Sequence, residues 1–438
     1  MARPLRFYLL MPFAFIFVLV VWEAVQGYPL WRILAWAFPQ HELILLIPGL
    51  LIPFAPPLLR LLDEVVGHPI TRLFAQLGWF LFGFLFIALW VCIVFEIVFA
   101  AWPAFHENFS YVGSITVTGV GVLLCLIAFI NAHQIRIVEH TIRTSKVRRP
   151  VRLVQLSDIH IGSRSPSFLK RVVDRVNLLN PDLVVVTGDF TDARGVGPRG
   201  DIDGFNEIRC RGTPTHTPPL EKNSPAPEES APPKEQEASV YAVFGNHDFM
   251  SGAGPLGDSC HSRLPKFSLL RDQVVRVRIP SPAASPAHVP SPDPGVVLQL
   301  VGLDDRNRGA DMVRAYRGLR NLLDDDLYTV LLYHRPHGVE QVGALGGIDL
   351  FLAGHTHAGQ IFPFSLLVKI MFPYAAGLFH VKAPVPATTT AVGPASTETT
   401  PINPSKQLLY TSQGTGTWGP LLRLGTRNEI TLFNIVPA

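Results

Sequence analysis

The sequence predicts a mixed α/β domain that follows a region of long apolar helices. Apolar residues make up 48% of the 438 residues and charged residues only 16%, whereas soluble domains contain about 25% charged residues. The long apolar stretches all lie before residue 133. Beyond residue 150, short apolar runs alternate with segments of helical spacing, which is typical of a layered α/β core.

Four apolar stretches within residues 1–132 predict a transmembrane region of about four helices. They run approximately over residues 7–25, 43–62, 73–102 and 111–132, and about 20 mostly apolar residues suffice to cross a bilayer. Prolines interrupt the second stretch, so a re-entrant or interfacial segment is an alternative there. The first stretch has no clear cleavage site and is interpreted as a retained anchor. Glu96, in the third, is either functional or reaches the interface.

The distribution of Lys and Arg predicts the orientation of these helices. The loop at residues 103–110 contains neither residue type, whereas a basic juxtamembrane linker follows the fourth stretch at residues 133–150. Arg3 and Arg6 precede the first stretch. With four spans, both ends lie on one side of the membrane. We therefore expect an integral protein of the cell inner membrane whose C-terminal domain is cytoplasmic.

Residues 151–438 carry the pattern of the α/β domain. A helix is predicted over 167–179, and strands are predicted at residues 151–156, 182–187, 240–244, 297–301, 329–333, 348–353 and 407–412. Low-complexity segments at 195–238, 280–295 and 383–405 predict surface loops that bury no core. The four cysteines lack CxxC spacing, which favours free thiols, with a Cys210–Cys260 disulfide as the alternative.

Potential metal ligands directly follow five of the predicted strands. They are Asp158 and His160, Asp189, Asn246 with His247, His334, and His355 with His357. Open α/β sheets place their sites at the carboxyl ends of strands. Carboxylate, amide and imidazole groups together favour Mn, Fe or Zn. These ligands are too many for one ion and predict two divalent ions about 3.5–4 Å apart, a pair that supplies hydroxide for displacement at phosphorus.

The order of these motifs resembles the calcineurin-like metallophosphoesterase superfamily. The series is Asp158-x-His160, Gly188-Asp189, Gly245-Asn246-His247-Asp248, His334 and Gly354-His355-x-His357. The resemblance covers about residues 150–436, and the tail at residues 410–419 is similar to the end of the membrane-associated bacterial branch. It implies a four-layer α/β/β/α sandwich in residues 151–438.

The resemblance also implies a role for each motif residue. The implied ligands are Asp158, His160 and His357 for the first ion, Asn246, His334 and His355 for the second, and Asp189 as the bridge. His247 would protonate the leaving oxygen, a task that suits a histidine near neutral pH, and Asp192 would orient it. Asp248 either assists the site or caps the next turn. Ala193 replaces the phosphate-binding arginine of the protein phosphatase branch, which argues against that activity.

These features predict an enzyme, a metal-dependent phosphoesterase that hydrolyses a phosphomonoester or phosphodiester. Because a tethered active site meets substrates near the bilayer, a lipid-linked phosphoester is preferred, and relatives that hydrolyse UDP-diacylglucosamine are consistent with it. The alternatives are a phosphodiesterase acting on soluble nucleotides and a non-catalytic membrane sensor or scaffold. A net charge of +3 without a dense basic stripe predicts no nucleic-acid partner.

Overall fold

The computed structural model describes residues 16–192, 201–220, 236–280, 295–381 and 407–438. These residues form two compact units. The helical unit comprises the described residues up to His133 together with Gly419–Leu424, and the α/β unit comprises Gln134–Trp418 and Gly425–Ala438. The α/β unit therefore begins before the predicted boundary at residue 151.

The helical unit contains three segments that are long and apolar enough to cross a membrane, Pro39–Val66, Pro69–Ala101 and Pro103–His133. Its α-helices are α1 (Tyr28–Ala37), α2 (Glu42–Leu51), α3 (Ala55–Val66), α4 (Pro69–Ala101) and α5 (Pro103–His133). The first of the three spans consists of short helical pieces because proline lacks the N–H that would continue a helix. About half of the predicted stretch at residues 7–25 lies outside the described residues, so a fourth span stays a prediction.

Small residues allow the long helices of this unit to approach one another. Ala88, Cys92 and Val117 are fully buried beside the rings of Trp36 and Phe99. Close approach through small residues is the usual way in which membrane helices associate.

Glu96 of α4 has partners inside the helical unit. Its carboxylate forms an ion pair with Arg32 of α1 and accepts a hydrogen bond of 2.8 Å from the Tyr28 hydroxyl. A paired charge is the arrangement expected for an ionisable residue at membrane depth. The side chain thus links α1 to α4.

The described residues of the α/β unit form two mixed β-sheets. Its strands are β1 (Ile135–Thr144), β2 (Val151–Leu156), β3 (Leu183–Thr187), β4 (Thr215–His216), β5 (Gln236–Glu237), β6 (Val240–Val243), β7 (Phe267–Leu269), β8 (Gln273–Ile279), β9 (Val296–Gly302), β10 (Tyr328–Leu332), β11 (Leu350–Ala353), β12 (Gly377–His380), β13 (Leu408–Thr411) and β14 (Asn428–Pro437). One sheet has the order β1-β14-β2-β3-β6-β7 and the other β12-β13-β11-β10-β9-β8-β4-β5. Strands β2, β3 and β6 are parallel in the first sheet, and β9, β10, β11 and β13 are parallel in the second.

Among the described residues, five α-helices accompany the sheets, α6 (Pro166–Leu178), α7 (Asn246–Arg263), α8 (Gly309–Leu319), α9 (Val339–Leu345) and α10 (Phe364–Met371). One buried cluster joins residues of both sheets, such as Leu153 and Leu300. A second cluster lies between the first sheet and α6, and a third between the second sheet and α8. Successive side chains of a strand point to opposite faces of its sheet, so the two faces of each sheet pack into different clusters.

The predicted basic linker contains a strand of the α/β unit. Strand β1 pairs in parallel with β14 from Ile135↔Asn428 to Thr144↔Pro437. Apolar residues alternate with charged ones here, so Ile135 and Ile137 pack on the core while the cations face outward. Lys146 forms an ion pair of 2.9 Å with Asp349. The prediction of a linker is therefore wrong for Ile135–Thr144, because the cations of this segment were more prominent than its alternating strand pattern.

Part of the first low-complexity segment also packs against the core. Ile202, Phe205 and Ile208 are buried in the cluster beside α6. Composition averages over the segment and misses these three apolar residues, so the surface-loop prediction is wrong for residues 201–220. The rest of that segment up to residue 235, and most of the other two, lie outside the described residues. The cysteines are free, as the sequence favoured.

Candidate metal centre

The carboxyl ends of β2, β3, β6, β10 and β11 deliver the motif residues to one place. The loop after β2 is tied to the loop after β3, because Asp158 N donates to Gly188 O at 3.0 Å and His160 N donates to Asp189 O at 3.1 Å. The loop after β11 is tied to the same point, because His355 N donates to the Asp158 carboxylate at 3.0 Å. Every predicted site residue except Asn246, Asp192 and His247 contributes to one of two ligand groups there.

The first ligand group contains Asp158, His160 and His357, whose ligand atoms lie within 4.8 Å of one another. The Nε2 atoms of His160 and His357 face each other at 3.1 Å. His357 Nε2 lies 3.5 Å from Asp158 Oδ1. Donor atoms around one ion at about 2.0–2.2 Å are separated by about these distances, so the group fits a single divalent ion.

The second ligand group contains Asp189, His334 and His355. His334 Nε2 lies 3.1 Å from Asp189 Oδ2 and 3.2 Å from His355 Nδ1. Asn246 Oδ1 is buried without a hydrogen-bond partner. Because an unpartnered buried oxygen is costly, this atom suits a cation ligand. The residue types and the orphaned oxygen together fit a pair of divalent ions.

His247 and Asp192 form a third cluster with His160. Asp192 Oδ1 lies 3.0 Å from His247 Nδ1 and 2.8 Å from His160 Nδ1. The His247 side chain is 17% exposed, whereas that of His160 is fully buried. His247 therefore stands at the accessible side of the cluster with its Nδ1 held and its Nε2 directed away from Asp192.

The backbone of the centre adopts left-handed conformations that side chains ordinarily avoid. Positive φ angles between 48° and 74° occur at five ligand positions, Asp158, His160, Asp189, His355 and His357. Each such residue costs about 1–3 kcal/mol, and this strain is typical of functional sites. At Gly354, where φ is ordinary, a Cβ would collide with Ser157 Oγ and the Asp158 carboxylate. The motif glycine is therefore needed because two strand ends approach closely.

Asp248 joins the loops after β3 and β6 through hydrogen bonds to their backbone. It is fully buried and accepts hydrogen bonds from the backbone N–H groups of Asp189 at 2.7 Å, Gly245 at 2.8 Å and Thr191 at 3.0 Å. Burial, followed by the neighbouring Asp189, raises the pKa of Asp248 well above its ordinary value. The carboxyl thus fixes the loops after β3 and β6, and its bond to Gly245 N also caps the start of α7, so both predicted alternatives apply.

The sequence prediction assigned no role to the tail segment beside the centre. Thr415 N donates to Ser157 O at 2.7 Å and Gly416 N donates to Asp158 O at 2.9 Å. The Trp418 ring lies 5.5 Å from the His247 ring. The Gly-Thr-Gly-Thr-Trp-Gly sequence was a signal of close backbone approach.

The buried carboxylates control the protonation of the histidines. Burial opposes protonation of His160, but the Asp192 carboxylate raises its pKa to about 9. Burial likewise opposes protonation of His334, but Asp189 raises its pKa to about 10. Burial raises the pKa of Asp158, whereas His334 lowers that of Asp189 despite burial. The centre therefore gathers negative charge that only protons or cations can balance.

Comparison with known proteins shows what the domain around this centre is similar to. Residues 151–359 match the family described as Calcineurin-like phosphoesterase. The chain is 26% identical to an uncharacterized metallophosphoesterase of Campylobacter jejuni over 66% of its own length and 60% of that protein. It is 29% identical to a transmembrane protein with metallophosphoesterase domain of Danio rerio over 72% of its length and 60% of that protein. An uncharacterized metallophosphoesterase of Aquifex aeolicus is 24% identical over 72% of this chain and 97% of its own length.

Proposed function

We propose that this chain, whose residues 151–359 match the calcineurin-like phosphoesterase family, is a membrane-anchored dimetal phosphoesterase. The chain spans 60% of the length of the first relatives it matches. The observation that carries the proposal is the convergence of two buried ligand groups beside an orphaned Asn246 oxygen. A surface cluster of carboxylates would not explain that combination. We also propose the α/β/β/α layer order, which the three core clusters support.

The ligands divide between the two ions as the motifs predict. Asp158, His160 and His357 would hold the first ion. Asn246, His334 and His355 would hold the second. Asp189 would bridge the two, because its carboxylate lies in the second group and is joined to the first through the loops. When bound, such ions supply a nucleophile at neutral pH and neutralise charge on phosphate oxygens.

His247 supplies the proton for the leaving oxygen. Its Nδ1 lies 3.0 Å from Asp192 Oδ1, so Nε2 is the nitrogen that can donate to a substrate. Its backbone N–H donates to Asp189 Oδ1 at 2.8 Å, which fixes the residue against the metal-ligating loop. A positioned histidine of this kind contributes about 10²–10⁴-fold to the rate of proton transfer. Asp192 is a positioning residue for it.

The substrate class is a phosphomonoester or phosphodiester carried by a lipid. The helical unit contains three segments able to cross a membrane, and two relatives are named as transmembrane proteins. A chain anchored in this way meets lipid phosphoesters at high local concentration. The centre brings the carboxylates of Asp158, Asp189 and Asp192 together, so recognition of an anionic phosphate depends on the bound cations.

The α/β unit lies on the cytoplasmic face of the cell inner membrane. The hairpin formed by α4 and α5 has no Lys or Arg in residues 103–110, whereas Arg72 begins α4 and Arg136 follows α5. Cations at one end of such a hairpin favour the cytoplasmic side for that end.

Metal analysis coupled to hydrolysis tests the proposal. The full chain, purified in detergent and loaded with Mn²⁺, Fe²⁺ or Zn²⁺, should bind about two ions per chain. It should then hydrolyse members of a panel of soluble and lipid phosphoesters. The variant Asp189→Asn removes the proposed bridging carboxylate. Its matched control is Asp174→Asn, which removes an exposed carboxylate paired with Lys170. A chain that binds no divalent ion and shows no metal-stimulated hydrolysis would contradict the proposal.

A further inference from the structure

The exposed apolar side chains of the α/β unit are concentrated on one short segment, residues 362–371. Six large apolar side chains there are between 44% and 80% exposed, namely Phe362, Phe364, Leu366, Leu367, Ile370 and Met371. Contiguous apolar patches are uncommon on soluble proteins and mark interaction sites. Elsewhere among the described residues of this unit, Leu178 is the exposed large apolar side chain of α6, and α7 carries the smaller pair of Phe249 and Met250.

The five exposed apolar residues of α10 share one side of the helix. At about 100° per residue, they occupy an arc of about 160°. Val368 is 5% exposed and lies beyond one end of that arc. Lys369 and Ser365 lie beyond the other end, towards the polar side. Helix α10 thus packs on the unit along a narrow line and presents a broad apolar face.

The charge of this region suits a lipid surface. Residues 360–380 contain no Asp or Glu, and their single Lys or Arg is Lys369. Apolar residues with a cation at the edge of the apolar face are typical of helices that lie in the headgroup region of a bilayer. A bilayer is within reach of this chain because its helical unit contains three segments able to cross one.

Both flanks of α10 connect to the metal centre. On its N-terminal side, Gln360 Nε2 donates to Trp418 O at 2.9 Å and Trp418 N donates to Gln360 Oε1 at 3.1 Å. The Trp418 ring in turn lies 5.5 Å from that of His247. On its C-terminal side, the ring of Phe372 lies 5.7 Å from that of His355. A surface bound to α10 would therefore lie beside the site.

We propose that Phe362 and α10 insert into the headgroup–acyl boundary of the membrane in which the same chain is anchored. The occupant of this apolar face is the lipid bilayer. Insertion would hold the metal centre at the lipid surface, where a phosphoester in a headgroup can enter without leaving the membrane. The insertion itself does not require catalysis, whereas this consequence for the substrate rests on the proposed function.

Depth-dependent quenching tests the insertion directly. The full chain carrying Ile370→Cys is labelled with an environment-sensitive fluorophore and reconstituted into nanodiscs that contain spin-labelled phospholipids. A Cys210→Ser background removes the half-buried thiol, since the other three cysteines are buried. Leu178→Cys is the matched control, because Leu178 is 81% exposed and Ile370 is 80% exposed.

Insertion predicts a blue-shifted emission and about twofold or stronger quenching at position 370, with neither effect at position 178. Equal behaviour of the two labels, whether both are quenched or neither is, would overturn the proposal. The measurement needs no bound metal and no turnover, so it is independent of the proposed hydrolysis.

Kinetics then test the consequence for the substrate. The double variant Leu367→Ser/Ile370→Ser should keep kcat/KM for soluble bis(p-nitrophenyl) phosphate within about twofold. It should lose about tenfold against a phospholipid phosphoester embedded in vesicles, because two apolar anchors are removed. Leu178→Ser should change neither value. Equal losses on both substrates would overturn docking as the role of α10. If the parent chain cleaves only the soluble ester, the lipid-linked substrate fails, while the quenching measurement still decides the insertion.

Discussion

The two ligand groups of the metal centre differ in the hydrogen-bond partners of His160 and His334. His160 directs its Nδ1 to the Asp192 carboxylate at 2.8 Å, whereas His334 directs its Nδ1 to the Thr187 backbone carbonyl at 2.9 Å. Such second partners orient a ligand imidazole and tune its basicity. One group is therefore tuned by a charged side chain and the other by the backbone of a strand.

Because these hydrogen-bond partners differ, the two ligand groups are connected to different parts of the α/β unit. Asp192 also contacts His247, so the first group shares its carboxylate partner with the proposed proton donor. Thr187 is the last residue of β3, so the second group is held by the sheet itself. A side-chain substitution can remove the Asp192 carboxylate beside His160, but it cannot remove the Thr187 backbone carbonyl beside His334. We expect changes around the first group to alter catalysis in graded ways.

Removal of the carboxylate that is proposed to bridge the two ions should have the largest effect. Asp189→Asn should lower kcat/KM by about 10⁴-fold and reduce the metal content, because two ions would lose a charged ligand worth several kcal/mol. Metal analysis and steady-state hydrolysis of one phosphoester measure both effects. Asp174→Asn should match the parent chain. Retention of both ions and of activity would exclude Asp189 as the bridge.

Replacement of the proposed proton donor should separate catalysis from metal binding. His247→Gln should lower kcat by about 10²–10³-fold for an alkyl phosphoester, with two ions still bound. The loss should be smaller for a nitrophenyl ester, because nitrophenolate leaves without a proton. Rates for the two esters, measured on the same metal-loaded preparation, check this. Equal losses for both esters would contradict the role as general acid.

Removal of the charged partner of His160 should have an intermediate effect. Asp192→Asn should lower activity or first-site affinity by about 10–100-fold, the range for partners behind a metal ligand. The second ion should bind as in the parent chain, since His334 keeps its carbonyl partner. Stepwise metal titration distinguishes the two sites. An equal loss of metal affinity at both sites would show that the Asp192 carboxylate does not act on the first group alone.

Metal uptake should depend on pH, which is the mildest of these effects. In the metal-free protein the pKa values of His160 and His334 are about 9 and about 10, so both histidines carry a proton at neutral pH. A metal ligand must be deprotonated, so uptake should release protons and the affinity should rise with pH towards about 9–10.

Calorimetry at pH 7 in buffers of different ionisation enthalpy counts these protons. The parent chain should release about one proton for each raised histidine. Asp192→Asn removes the carboxylate that raises the pKa of His160, so it should reduce the number. Proton release that Asp192→Asn leaves unchanged would show that the charged partner does not control His160.

The strongly periodic parts of the fold could be predicted from the sequence. The predicted strand at residues 151–156 is confirmed, and the helix predicted at 167–179 is present as α6. Buried strands carry an apolar run that is visible without any structure. Strands β4 and β5 have two residues each and leave no periodic signal. Strand β1 was missed because its cations dominated the pattern.

The order and types of the candidate ligands were determined by the sequence alone. Strand ends that bear Asp, Asn or His can be read in order along the chain, and parallel strands bring their carboxyl ends to one edge. The role of each residue stays a prediction that the experiments above test.

Only the tertiary structure decided which partner stands behind each ligand and which apolar residues stay exposed. His160 faces His357 across 197 residues of chain, and Asp192 reaches both His160 and His247. Asp248 supports the loops, and α10 presents its apolar face outward. Such relations depend on distances between residues far apart in the chain, which local periodicity does not encode.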